Sequence, residues 1–384
     1  MLAQKRTMID ICTKIGLNTF KQIITDLRGL NMLRNWLLAT VASCALPAIA
    51  ATSAVAQELP QTHLKVMGGA SFNAQYRELE QPFWLKQIPE NSKGKITAEI
   101  TPVNELGLKG TEVLRLMGLG VLDFATPILG YVAPDEPLSG AVDLAGLSPD
   151  VQTARQVSEA FLPTLDKVYQ EKHGIKLLGV WPYPAQVMFC KTAFSKLSDL
   201  KGFKVRTGNS SLAEFVEAIG ATAVTMPIGE VVPSLDRGVV DCAITGTLPG
   251  YDFKWHEVTD YVYALPLGWS QMVQAVNMKT WERLGPDVQN FLQAEITDLA
   301  NRIWERTDFE TEQGFACLTG SAECTFGEPA NMTLVEISPD DETMLRQVLV
   351  DTIIPKWIER CGEACAADWN ATIGELRDLK ISAN

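Results

Sequence analysis

The chain has 384 residues, 46% of them hydrophobic and 21% charged, which suits a globular protein long enough for two core-forming domains. Its 33 basic and 46 acidic residues give a formal net charge of −13, a balance that argues against a nucleic-acid partner, which needs a basic footprint. A chain this acidic can hold an anion only by concentrating positive charge at one place.

From Leu33 the sequence reads LRNWLLATVASCALPAIAATSAVAQ: one positive charge, an apolar run, then Ala54-Val55-Ala56 before Gln57. This is the layout of a secretory signal peptide with an A-x-A cleavage site. Pro47 and the many alanines make it a poor membrane span. The 31 residues ahead of Met32 fit no signal-peptide plan: either they form a long n-region or Met32 is the start, the second being the favoured reading. The stretch VASC, ending on Cys44, also resembles a lipoprotein box, but the alanine-rich run behind it would make a poor tether. Residues 1–56 hold six of the basic and two of the acidic residues, so their removal leaves 27 and 44 and a net charge of −17.

Taken in order, THLKVMGGASFNAQYRELEQPFWLKQI predicts a strand, a glycine turn and a helix carrying Tyr76, Leu79, Phe83 and Trp84. GKITAEITPV is a second strand, and GTEVLRLMGLGVLDFATPIL supplies a helix and a third. A helix over SPDVQTARQVSEAFLPTLDKVYQEKHG precedes the extended run IKLLGVWPYPAQVMFC. Strands alternating with helices imply parallel α/β sheets. In GPDVQNFLQAEITDLANRIWERTDFETEQG, Pro286 suits a first helical turn, and Val288, Phe291, Leu292, Ile296, Leu299 and Ile303 keep helical spacing up to Gly314. At about 1.5 Å per residue such a helix reaches roughly 40 Å, the length of a strut between two lobes.

The segment FKVRTGNSSLAEFVEAIG joins these elements to chemistry. Phe203 and Val205 alternate with Lys204 and Arg206, the period of a half-buried strand. Gly208 and Asn209 turn the chain, Ser211 and Glu214 read as a capping box, and Leu212, Phe215, Val216 and Ile219 form a helical apolar face. Arg206 therefore sits at a strand's carboxyl end beside a helix N-terminus, where open α/β sheets place ligands and where both features attract an anion. Its planar fork matches a carboxylate. The bland alternative is an arginine paired with a surface acid.

Six cysteines follow the leader: Cys190, Cys242, Cys317, Cys324, Cys361 and Cys365. An even number in an exported chain suggests disulfides. The turn residues in CLTGSAEC favour Cys317–Cys324, and Gly362 would let Cys361 and Cys365 pair outside a regular helix. Zinc is the rival reading, but it wants closer cysteine or histidine partners. His63, His173 and His256 are far apart in sequence and read as structural. The sequence contains no G-x-S-x-G, H-E-x-x-H or P-loop.

The stretch KLSDLKGFKVRTGNSSLAEFVEAIGATAVTMPIGEVVPSLDRGVVD resembles the core signature of substrate-binding proteins of tripartite ATP-independent periplasmic (TRAP) transporters, the DctP-like family. ITAEITPVNELGLKGTEVLRLMGLGVLDFA resembles the family's first-lobe segment, and the likeness runs from about Leu64 to Cys317. It implies an α/β solute-binding fold with two lobes, hinge strands and a long helix crossing both. Residues 57–184 would form the first lobe, completed by about 270–309, and residues 185–269 the second, completed by about 310–384. It also implies a periplasmic receptor of a Gram-negative bacterium that is not an enzyme. Such a receptor delivers a small organic acid to integral-membrane transporter subunits, or presents it to a periplasmic sensor; an exported enzyme on the same scaffold is the least favoured alternative. No cofactor and no metal is called for.

The resemblance implies that Arg206 holds the substrate carboxylate. The remaining expected pocket residues are Gln186 and Asn73 as polar donors and Thr245, which stands where many members carry an asparagine. Phe72, Trp181, Tyr183, Ile228 and Trp269 are the candidate walls, with core or hinge packing the equal alternative for each Trp and Tyr. That aromatic and apolar set suits a monocarboxylate with a hydrophobic or aromatic body, since apolar walls contribute about 25 cal/mol per Å² buried.

Overall fold

The structure is a computed structural model that describes residues 58–108 and 110–381. The leader expected over 33–56 lies outside the described residues.

Two sheets organise the chain. The first has strand order β2-β1-β3-β10-β4 and the second β11-β9-β5-β8-β6-β7. In β1 (Thr62–Gly68), Leu64 and Val66 point inward while His63 and Lys65 face solvent, the alternation that lets one face of a strand enter a core. It pairs in parallel with β2 (Ile96–Pro102) and with β3 (Phe124–Ala125). Between β1 and β2 a helical stretch over 76–91 buries Tyr76, Phe83, Trp84 and Ile88. Helix α1 (Val151–Val168) is capped by Asp150, whose carboxylate accepts from the Thr153 amide at 2.7 Å, and it packs on β4 (Ile175–Trp181).

The single extended run predicted over 175–190 is two strands in different sheets. After β4 the chain passes through 182–185 and enters the second sheet as β5 (Gln186–Cys190). In that sheet β6 (Lys204–Thr207) lies parallel to β7 (Thr222–Thr225) and to β8 (Cys242–Gly246), while β5 runs antiparallel to β8 and to β9 (Tyr261–Tyr263). The return crossing ends in β10 (Met272–Asn277), which lies antiparallel between β3 and β4. Both sheets are therefore mixed, not purely parallel, because each strand that crosses between lobes enters its sheet against the local direction. Helix α2 (Ser210–Ala218) follows β6, helix α3 (Thr247–Asp252) follows β8, and the short β11 (Thr333–Val335) pairs with β9.

Helix α4 (Met278–Leu318) is the expected strut, with a break at Gly285 where φ is 74°. It lies on the first sheet, where the Trp304 indole donates to the Val180 carbonyl at 2.8 Å, and on α3 of the second lobe, where Thr247 donates to the Thr311 carbonyl at 3.1 Å. The sequence expectation ended this helix at Gly314, yet it continues to Leu318. Gly314 is a contact glycine: a Cβ there would lie 2.4 Å from the Leu248 amide nitrogen, so only glycine lets α4 approach α3 so closely.

The C-terminal arm comprises α5 (Pro339–Val348), a wide turn at Leu349–Ile353, α6 (Ile354–Cys361), α7 (Glu363–Ala371) and a last turn at Ile373–Leu376. Three disulfides join Cys190 to Cys242, Cys317 to Cys324 and Cys361 to Cys365. The first links residues directly opposite on β5 and β8. The third brackets Gly362, whose φ of 91° separates α6 from α7.

Candidate functional site

Arg206 lies near the carboxyl end of β6 and is 2% exposed. Its Nε and Nη2 donate to the Met226 carbonyl at 3.1 and 2.9 Å, and its Nη1 donates to the Ile244 carbonyl at 3.0 Å. A guanidinium has five N–H bonds, so one N–H on each terminal nitrogen is left without an acceptor among the described residues. No carboxylate among the described residues lies within ion-pair distance of it. A buried, orientationally fixed cation with no counter-ion among the described residues is able to take up an anion, since buried charges are otherwise paired.

The turn that follows is built differently from the expectation. Asn209, not Ser211, caps α2, and its Oδ1 accepts from the Leu212 amide at 2.9 Å. Ser211 instead accepts from the Ala145 amide at 2.7 Å, and Glu214 pairs with Arg360. Both capping-box side chains are used in contacts with distant segments, which a local pattern does not register.

Tyr131 is a residue that sequence reasoning missed. A Cβ placed on Gly208 would lie 3.5 Å from a Tyr131 ring carbon and 3.6 Å from Arg206 Nη2. The ring from the first lobe and the guanidinium from the second thus share the space that Gly208 leaves open. Tyr131 lies in a one-turn helix (Leu129–Val132) with no motif to mark it.

A second polar group lies at the end of β1. Burial raises the pKa of the Tyr183 hydroxyl well above the usual tyrosine range, with neighbouring Asn73 and the Ala70 backbone opposing. Asn73 is 5% exposed and its Oδ1 has no protein partner. Beside them Glu80 accepts from the Gly69 amide at 2.8 Å and from the Thr126 hydroxyl at 2.6 Å. Burial pushes its carboxyl up to about 7, with those two hydrogen bonds opposing. Glu80 carries no recognisable spacing, because what marks it is burial.

The other expected pocket residues are spread more widely. Thr245 is 7% exposed and shares a sheet face with Arg206, since Arg206 stands opposite Ala243, two residues earlier on β8. Gln186 opens β5 and donates to the Pro184 carbonyl at 3.2 Å. Ile228 is half-buried in a short turn. Phe72 packs against Phe253 with the rings tilted 51° and centroids 3.7 Å apart, and Arg77 pairs with Asp252 at 3.5 Å, which makes this pair of contacts a bridge between lobes. Burial pushes the Asp252 carboxyl up to about 6 against the pull of Arg77.

Two residues expected as walls are core. Trp181 is 1% exposed and lies in the hydrophobic core with Ile296 and Ala300 of α4. Trp269 is 3% exposed; its indole donates to the Ser148 carbonyl at 2.9 Å and its amide to Asp143 at 2.7 Å. Asp143 also accepts from the Ser270 amide at 2.9 Å, and burial pushes its carboxyl up to about 6. This carboxylate fixes the return crossing where Ser270 adopts a φ of 50°. Aromatic residues at hinge crossings look like ligand walls in a sequence because both kinds are flanked by prolines and glycines.

Similarity to known proteins agrees with this architecture. The sequence matches the bacterial extracellular solute-binding proteins of family 7 (DctP) over residues 71–349. It is 26% identical over 216 residues to the ectoine-binding periplasmic protein TeaA of Halomonas elongata, covering 55% of this chain and 62% of that one. It is 25% identical over 292 residues to the ectoine/5-hydroxyectoine-binding protein UehA of Ruegeria pomeroyi, covering 73% of this chain and 81% of that one. The fold matches DctP7, a Bordetella pertussis solute receptor binding pyroglutamic acid, with a TM-score of 0.71 at 20% identity over 80% of this chain and 98% of that one. It also matches a TRAP solute-binding protein of Desulfovibrio salexigens with bound orotic acid, with a TM-score of 0.73 at 19% identity over 83% and 99% of the two chains. Two mixed sheets joined by crossing strands and a long helix, matched along most of the chain, make it a member of the family 7 bacterial extracellular solute-binding proteins.

Proposed function

We propose that this protein is the periplasmic receptor of a TRAP-type transporter, that it captures a small organic monocarboxylate in the cleft between its lobes, and that it performs no chemistry on it. The observation that carries the reading is Arg206, 2% exposed, tied to two backbone carbonyls and still holding one free N–H on each terminal nitrogen. That pair suits the two oxygens of a carboxylate. Tyr131 closes over the anion from the first lobe, and the free Asn73 oxygen accepts a hydrogen bond from the ligand's far end. Phe72, Ile228, Tyr183 and Thr245 supply a mostly apolar wall, which favours a ligand with a flat or hydrophobic body.

Closure by hinge motion at 182–185 and 267–271 removes water and strengthens the ion pair. The lobes divide at about residue 184, and the closed form is what membrane subunits of the transporter receive. The small carboxylates bound by several relatives fit this reading. A thermal-shift panel of aromatic, cyclic, aliphatic and sugar acids tests it, because a ligand that binds only the folded form raises the melting temperature. A rise with cyclic or aromatic monocarboxylates is expected. A response confined to polyhydroxylated sugar acids would overturn the choice of ligand class, and no response to any acid would overturn the receptor reading.

A further inference from the structure

The C-terminal arm grips both lobes. Its first half belongs to the second lobe, where Asp341 accepts from the Leu197 amide at 3.1 Å and from the Tyr263 hydroxyl at 2.6 Å. Its second half packs on the first lobe, unlike the expectation that residues 310–384 complete the second. There Trp357 is 1% exposed and its indole donates to the Pro137 carbonyl at 2.8 Å. The turn Ile373–Leu376 lies against α1, and Trp357 packs on Trp369 with ring centroids 5.2 Å apart.

Three residues after Trp357, on the same face of α6, Arg360 reaches back to the second lobe and pairs with Glu214 of α2 through both terminal guanidinium nitrogens. Neighbouring side chains on one helical turn thus hold opposite lobes. Beside them Ser211 of the second lobe accepts directly from the Ala145 amide of the first. A narrow cavity at this junction is lined by Gly140 and Asp143 from the first lobe, Asn209 and Ser210 from the second, and Trp357 and Arg360 from the arm. The elbow that sets the angle between α6 and α7 is Gly362, braced by the Cys361–Cys365 disulfide.

We propose that residues 339–381 act as a clasp on the closed receptor: Arg360 is a positioning residue whose pair with Glu214 forms on closure and breaks on opening, with the disulfide-braced elbow holding it in register. When the lobes part, the second half of the arm travels with the first lobe through Trp357 and Trp369. The Arg360–Glu214 contact, at a junction between bodies and with Arg360 about one-third exposed, then separates, together with the neighbouring Lys356–Glu217 pair and the Ala145–Ser211 hydrogen bond. The ligand touches none of these residues, so the clasp sets how long the closed form lasts and leaves the carboxylate contact unchanged. This inference rests on the proposed receptor function.

The test is single-molecule energy transfer between dyes placed at Leu119 in the first lobe and Val239 in the second, both well exposed. Measurements are made without ligand and with pyroglutamate as the probe acid. Arg360→Ala is expected to shorten the closed dwell time about fivefold, the size expected of a partly exposed ion pair. Arg360→Glu should shorten it further, and the swap of Arg360→Glu with Glu214→Arg should restore it. Melting temperatures of the single variants should stay near wild type, which separates a clasp from general loosening. Cys361→Ser with Cys365→Ser should also shorten the dwell while leaving Arg206-dependent binding intact. If wild type closes and Arg360→Ala closes for equally long, the clasp is wrong and the receptor reading stands. If wild type shows one unchanging distance with or without any acid of the panel, the receptor reading falls and the clasp falls with it.

Discussion

Replacing Arg206 by alanine removes the charge at which the proposed function is aimed. Truncation takes away the two free N–H bonds and leaves a bound carboxylate buried without a partner. Breaking such a pair weakens binding by about 2–5 kcal/mol, or roughly 30- to 5,000-fold in Kd. Lysine keeps the charge but offers three N–H bonds from one point. It cannot serve the Met226 and Ile244 carbonyls and both carboxylate oxygens together, so it should recover only part of the loss. Ligand-free stability should respond differently. Loss of three charge-assisted hydrogen bonds, roughly 1.5–3 kcal/mol each, is opposed by release of several kcal/mol from a buried ion without a counter-ion. Arg206→Met should therefore melt within a few degrees of wild type while losing the ligand-induced shift. Isothermal titration with the best acid from the panel, paired with melting curves, separates the two effects. Affinity within threefold of wild type in Arg206→Ala would show that the guanidinium does not meet the acid.

Three further outcomes follow from the geometry. Gly208→Ala should reduce affinity about tenfold with little change in melting temperature, because its Cβ would occupy the space between Tyr131 and Arg206 without a steric clash; an unchanged Kd would place the ligand elsewhere. Glu80 and Glu310 are pushed up to about 7 and Asp143 to about 6 by burial, so each stabilises the fold fully below its unfolded pKa near 4 and loses that contribution as pH rises through the folded value. The melting temperature should fall from pH 5 to pH 8, and Glu80→Gln should flatten that slope while keeping the contacts to Gly69 and Thr126; a stability that rises over this range would refute the assignment. Removal of Cys190–Cys242, which closes a separation of 52 residues, should destabilise by about 4 kcal/mol against about 2 for Cys317–Cys324 with a separation of 7, a ranking that denaturant titration of the paired alanine variants checks.

The fold was largely legible in the sequence because its strands and helices carry strong periodic patterns. The β6–turn–α2 segment and the apolar stripe of α4 show this best. Where the reading failed, long-range contact outweighed local pattern. Ser211 and Glu214 have capping-box spacing, but a backbone amide 66 residues away and an arginine 146 residues away claim them. Gly314 reads as a helix stop, yet it is the surface on which another helix rests. Among the proposed site residues, Arg206 stood out because charge, strand end and helix start coincide. Tyr131 and Glu80 were invisible because their positions depend on which loops meet, and Trp181 and Trp269 were overvalued because hinge packing and ligand stacking draw on the same aromatic residues.

The position of β10 between β3 and β4 governs how the first lobe is assembled. Its strand 175–181 finds a neighbour only after residues 272–277 return from the other lobe, so a gap stays open in the middle of that sheet while some ninety residues of intervening chain emerge. A polypeptide threaded through a membrane from its amino end would meanwhile present two unsatisfied strand edges to its surroundings. Fragments ending before residue 272 should therefore be captured by chaperone holdases or lost to proteases, and those reaching past residue 277 should escape.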